Sequence, residues 1–154
     1  MISSMPIQVQ RVGHVVLNVR ALAPAVAFYC GVLGLREVGR YQHDMVFFSA
    51  TGQNHHDLAV REVGPLARAA DGDAVGLCHV ALKIGDSLDL LRQAKAALEA
   101  AGVAIRRTEN HRVSRSIYLA DPDGNEIELY IDVQPAIWHD EPMAVLSPTK
   151  PLRL

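Results

Sequence analysis

Two stretches of this chain repeat one another. Val12-Gly13-His14-Val15-Val16-Leu17-Asn18-Val19 aligns without a gap on Leu77-Cys78-His79-Val80-Ala81-Leu82-Lys83-Ile84. Each is an apolar, β-branched run of strand length containing one imidazole, and β-branched side chains fit a pleated backbone better than a helix. Repetition at a fixed offset means that one structural unit is used twice, so the fold must be built from paired copies. If the copies pack face to face, equivalent positions converge near the pseudo-symmetry axis, which would bring His14 and His79 together. A third ligand is then available in the second copy. The turn Asp121-Pro122-Asp123-Gly124-Asn125 opens into Glu126-Ile127-Glu128-Leu129-Tyr130, a run fit for burial that Glu128 interrupts. A buried carboxylate must be paired or bound to a metal.

The rest of each copy follows the same order. Residues 10–19 read as a strand, followed by a helix over about 22–33, with Pro24 early and Val26, Ala27, Cys30 and Leu33 at helical spacing. Gly34 is its expected C-cap. Three short strands come next, Leu35–Tyr41, Met45–Ala50 and His55–Glu62, separated by polar turns. In the second copy, strand 76–84 precedes a helix 87–101 ending at Gly102, then strands near 103–108, 112–120 and 125–132. The expected fold is therefore α+β: two paired βαβββ modules, 10–62 and 77–132, whose sheets form an open curved barrel around a metal site. Residues 63–76 are the linker between them. Residues 133–154 break the repeat, and Pro135, Pro142, Pro148 and Pro151 forbid a regular element throughout. Ile137, Trp138, Met143, Val145 and Leu146 make that extension too apolar for a free tail, so it should pack on the domain or on a second copy in a homodimer.

Bulk properties remove several functions. The 154 residues form one compact domain with a substantial core, and a net charge of -2 gives no surface for nucleic acid or an anionic membrane. No apolar run is long enough to cross a bilayer, and Met1 to Pro6 lack the pattern of a signal peptide. Two cysteines, Cys30 and Cys78, are too few for a disulfide framework and suit a reducing cytoplasm; Cys78 reads as a buried, inert thiol.

Two histidines at equivalent repeat positions, with a carboxylate in one copy, make His14, His79 and Glu128 the candidate metal ligands. Two His and one carboxylate form the facial set that leaves open positions on non-haem Fe(II), and Mn(II) accepts the same ligands. The pair His55-His56 opens a strand, and strand residues alternate, so only one should face the pocket. Glu126, beside the turn, reads as a solvated charge. Tyr118 stands ten residues before Glu128, on the preceding strand.

These features together resemble the vicinal oxygen chelate superfamily, which includes glyoxalases, bleomycin-resistance proteins and extradiol dioxygenases. The resemblance covers residues from about 10 to 132. His55-His56-Asp57-Leu58-Ala59, then His111, then Ile117-Tyr118-Leu119-Ala120-Asp121-Pro122-Asp123-Gly124-Asn125-Glu126-Ile127-Glu128, look most like the type I extradiol ring-cleaving dioxygenases. That resemblance implies an Fe(II) enzyme, with Mn(II) as the other metal, cleaving a small aromatic diol with O2. It implies His14, His79 and Glu128 as metal ligands and His56 as the acid/base residue. It also implies His111 and Tyr118 against the substrate, with a part in catalysis; His55, beside His56, is a further candidate for substrate contact. The chain departs from the pattern at Glu109, where a small or β-branched residue is more usual, and in carrying one pair of modules where many extradiol enzymes have two. The rival readings are a glyoxalase-like isomerase, an antibiotic-modifying thiol transferase and a metal-free protein that sequesters an aromatic drug. A glyoxalase-type site usually adds a fourth ligand, a carboxylate from the last strand of the first module, where this chain offers His56 and Leu58 at the plausible places and no Glu until Glu62.

Overall fold

The computed structural model describes residues 7–69, 71 and 73–154, so the N-terminal hexapeptide and Ala70 and Gly72 of the expected linker lie outside the described residues. Alternation sets the first strand, β1 (Val15–Val19): Leu17 and Val19 are buried while Val16 and Asn18 face outward. The helix after it begins as α1 (Leu22–Val26) and widens into a π-helical segment, Ala27–Val32. The extra residue in that turn shifts the helical phase, and the adjacent Phe28 and Tyr29 are both buried. Strands β2 (Arg36–Tyr41), β3 (Met45–Ser49) and β4 (Leu58–Glu62) complete the first unit. Its sheet runs in the order β1-β4-β3-β2, with β1 and β4 parallel.

The second unit repeats this plan. Strand β5 (Val80–Gly85) leads to α2 (Leu88–Ala100), then β6 (Ile105–Asn110), β7 (Ser114–Ala120) and β8 (Glu126–Asp132). Ser87 caps α2 by accepting from the Leu90 N–H, and Leu91 and Leu98, two turns apart, bury its inner face. The order is β5-β8-β7-β6, with a fifth strand from the C-terminal extension beyond β6, and β5 and β8 are parallel as β1 and β4 are. The βαβββ duplication is thus present as two open mixed sheets of four and five strands, with no closed barrel.

The ninth strand comes from the extension. After α3 (Ala136–Asp140) and a 3-10 turn (Pro142–Leu146), β9 (Lys150–Pro151) pairs with the edge strand β6. Thr108 and Leu152 exchange two bonds, and Leu152 and Leu154 pack against the core. The prolines interrupt the extension without preventing short elements, because each falls at a helix start, in a loop or on an edge strand.

One continuous core joins the two units, Val19, Phe48 and Val60 from the first meeting Leu91, Ile117 and Ile127 from the second. Polar ties cross at the turn before β8. Tyr29 donates to Asp121 Oδ2 at 2.9 Å, Arg20 holds Asp123 at 2.9 Å through its guanidinium, and Asn125 reaches the Asn18 carbonyl at 3.3 Å. Asp121 Oδ1 also accepts from the backbone of Asp123 and Asn125, which shapes the turn. Burial, reinforced by the Asp121 charge, keeps the Tyr29 hydroxyl protonated far above the usual tyrosine range.

Some local expectations are corrected. The first strand starts at Val15, not residue 10, and β4 starts at Leu58, so His14, His55 and His56 lie on loop ends. Cys78 is exposed because it precedes β5 instead of lying within it. Among the described residues, no helix is long and apolar enough to cross a membrane.

Candidate metal centre

The second unit builds its half of the site on one face of its sheet. The parallel register sets Ala81 beside Glu128, and His79 lies two residues before Ala81, on the same face. His79 Nε2 therefore comes within 3.1 Å of Glu128 Oε2. The other carboxylate oxygen, Oε1, accepts from the fully buried Ser116 hydroxyl at 2.5 Å. On β7, Tyr118 stands directly opposite Glu128, and its hydroxyl lies 3.0 Å from His111 Nε2. Glu109 adds a carboxylate oxygen 3.3 Å from the same nitrogen. Burial, and then the Glu128 charge, raise the Tyr118 hydroxyl well above its ordinary range, so it remains protonated.

Arginine closes this face on the β6 side. Arg107 stacks its guanidinium 3.7 Å above the Tyr118 ring and pairs with Glu126 at 2.8 Å, and Arg106 joins at 3.0 Å. Glu126 is accordingly held below the usual carboxylate range, mainly by its bond from Arg107, in place of the solvated charge expected from the sequence. Arg107 had no signal in the sequence, because its role depends on lying opposite Tyr118 across the β6–β7 register.

The first unit contributes a different cluster. Asp57 gathers the loop before β4, accepting from the Ala50 N–H at 2.8 Å, Asn54 Nδ2 at 2.9 Å and Ser49 Oγ at 3.1 Å. These bonds, the Ala50 N–H foremost, hold Asp57 below its ordinary pKa. So constrained, the loop places His55 and His56 with their Nδ1 atoms 2.6 Å apart, one ring donating and the other accepting. This corrects the expectation that only one of the pair could face the pocket, since neither residue is in a strand. The His14 ring lies 4.1 Å from that of His56, and the ligating atoms of His14, His55 and His56 all fall within 4.8 Å of one another. Burial, and then the charges of His14 and His55, push His56 below the ordinary histidine range, which favours its neutral, proton-accepting form.

The expected ligands are thus divided, His14 with the loop histidines and His79 with Glu128. The spacing of the His79–Glu128 pair fits a metal. Cis ligands on an octahedral ion with bonds of about 2.1–2.2 Å lie about 3.0–3.1 Å apart, and Nε2 and Oε2 are separated by 3.1 Å. Among the described residues, His56 Nε2 and His79 Nδ1 are buried without a hydrogen-bond partner, and the His56 atom is the ring nitrogen that His55 does not engage, open to a proton or a ligand.

The chain belongs to the glyoxalase/bleomycin resistance protein/dioxygenase superfamily, whose family model matches residues 11–129. It is 33% identical over 128 residues to the catechol-2,3-dioxygenase of Bacillus subtilis (strain 168), covering 82% of this chain and 43% of that protein. It is 34% identical over 128 residues to biphenyl-2,3-diol 1,2-dioxygenase 3 of Rhodococcus globerulus, covering 79% of this chain and 63% of that protein. The match thus spans about half the length of these relatives. A glyoxylase/bleomycin resistance protein/dioxygenase domain from Frankia sp. EAN1pec has the same fold, with a TM-score of 0.70 and 22% identity, over 81% of this chain and 99% of that one.

Proposed function

We propose that this protein is a metal-dependent extradiol dioxygenase that opens a catechol-type ring with O2, using Fe(II), with Mn(II) able to occupy the same ligands. The observation that carries the reading is an asymmetry between equivalent strands. Val80 pairs with Ile127 as Val15 pairs with Leu58, so the position of Glu128 on β8 corresponds to Ala59 on β4. The first unit has no carboxylate there, which argues for a three-ligand set, His14, His79 and Glu128, over the four-ligand set of a glyoxalase. When bound, Fe(II) supplies adjacent open positions for both oxygens of a diol and for O2.

The remaining residues have roles that fit this chemistry. His56, neutral and beside His14, accepts a proton from a substrate hydroxyl and returns it later. His111 and Tyr118, hydrogen-bonded to each other, offer donors to oxygen atoms on which negative charge develops. His55 shares a proton with His56. The relatives' printed names, catechol and biphenyl-diol dioxygenases, support an aromatic diol as substrate. We further propose a cytoplasmic homodimer, with the exposed Trp138, Met143, Val145 and Leu146 at the contact.

The test is anaerobic reconstitution with Fe(II), addition of catechol and then of labelled dioxygen. Both labelled atoms should appear in a ring-opened product. Isomerisation of a thiohemiacetal without ring opening would instead identify a glyoxalase. Binding of an aromatic drug with no metal would identify a sequestering protein.

A further inference from the structure

The carboxylate of Glu128 has two oxygens in different circumstances. Oε2 faces His79 Nε2 at 3.1 Å, where a shared ion would lie, whereas Oε1 receives the Ser116 hydroxyl at 2.5 Å. That second contact is at the short end for a hydroxyl donating to a carboxylate, where such bonds are strongest. Ser116 is wholly buried on β7, and its single proton is committed to Oε1. The register makes the pairing rigid: Tyr118 is directly opposite Glu128 and Ser116 opposite Tyr130, so Ser116 reaches Glu128 as its diagonal neighbour on the same face.

We propose that Ser116 is the positioning residue of this centre, fixing Glu128 as a ligand through Oε2 alone. The consequence is a matter of coordination number. With two histidines and one carboxylate oxygen, a six-coordinate ion keeps three open positions, enough for the two oxygens of a diol and for O2. If Oε1 were free to swing in as a second ligand, one of these positions would close. The inference rests on the proposed ligand set of His14, His79 and Glu128, and it adds the outer group that sets how Glu128 binds.

Mn2+ is the probe, because the waters bound to it can be counted by EPR line broadening in oxygen-17-enriched water, with no turnover needed. Wild-type protein should show three bound waters. Ser116→Ala should bind Mn2+ roughly 10–100-fold more weakly, as expected when a ligand loses its outer partner, and at saturation should show one water fewer. Ser116→Thr, which keeps the hydroxyl, should restore the count. An unchanged water count in saturated Ser116→Ala would overturn the inference. If the alanine variant does not fold, Ser116→Cys, similar in size but a weak donor, gives the same reading. His79→Ala tests the underlying metal assignment separately. Unchanged Mn2+ affinity in His79→Ala would sink that assignment, whereas lost affinity there with an unaltered Ser116→Ala would sink the present inference alone.

Discussion

The two βαβββ units use the same scaffold to hold different chemistry. In each, a histidine sits just before the first strand and a parallel partner strand runs beside it. In the second unit that partner strand carries Glu128, a buried acid answered by His79 and Ser116. In the first, the equivalent position is Ala59, and the polar atoms come from the preceding loop, where Asp57 gathers His55 and His56 beside His14. Strand positions can hold a ligand rigidly but cannot bring two adjacent side chains to one face. A loop end can, which suits the unit to which the proposed mechanism gives proton transfer.

Substitutions can break this division of labour. The largest effect belongs to the second unit: His79→Ala or Glu128→Ala should lower Fe2+ or Mn2+ affinity by more than the roughly 10–100-fold that losing an outer partner costs. Calorimetric titration measures it directly. His14→Ala should lose metal along with activity. Retained affinity in that variant would mean that the second unit holds the ion alone, and that the histidine cluster of the first unit is independent of it. His56→Phe should keep the metal and still bind catechol, yet turn over roughly 10²–10⁴-fold more slowly, the usual contribution of a general acid–base group. Full ring-cleaving activity would move the role to His55 or His111, and loss of metal would make His56 a fourth ligand and favour the glyoxalase reading.

Smaller effects concern stability and should leave metal affinity unchanged. Tyr29→Phe removes a buried hydrogen bond to a carboxylate and should cost about 2 kcal/mol in urea unfolding. Ser87→Ala, at the exposed cap of α2, should cost about 1 kcal/mol.

What the sequence revealed differs between the two units for the same reason. Periodicity and repetition made the paired modules readable, and an acid inside an apolar strand singled out Glu128. The strand ends were less accessible, because Val12 and Cys78 are as apolar as the residues that follow them, while hydrogen bonding begins only at Val15 and Val80. The placing of His55 with His56 depends on Asp57 organising a loop, which no alternation rule describes. Ser116 and Arg107 were missed because serine and arginine are ordinary on a sheet face. Their roles arise from what lies across the strand register.

The ties at the turn before β8 bear on how the molecule comes apart. Tyr29 and Asp121 are both buried, from different units, and each completes the other. Separating the units would expose the common core and leave the Tyr29 phenol without its carboxylate, so neither half is expected to hold an independent folded state. Unfolding should therefore be a single cooperative transition, with tyrosine fluorescence and far-ultraviolet dichroism melting together. A chain severed between residues 63 and 76 should recover structure only when both fragments are present.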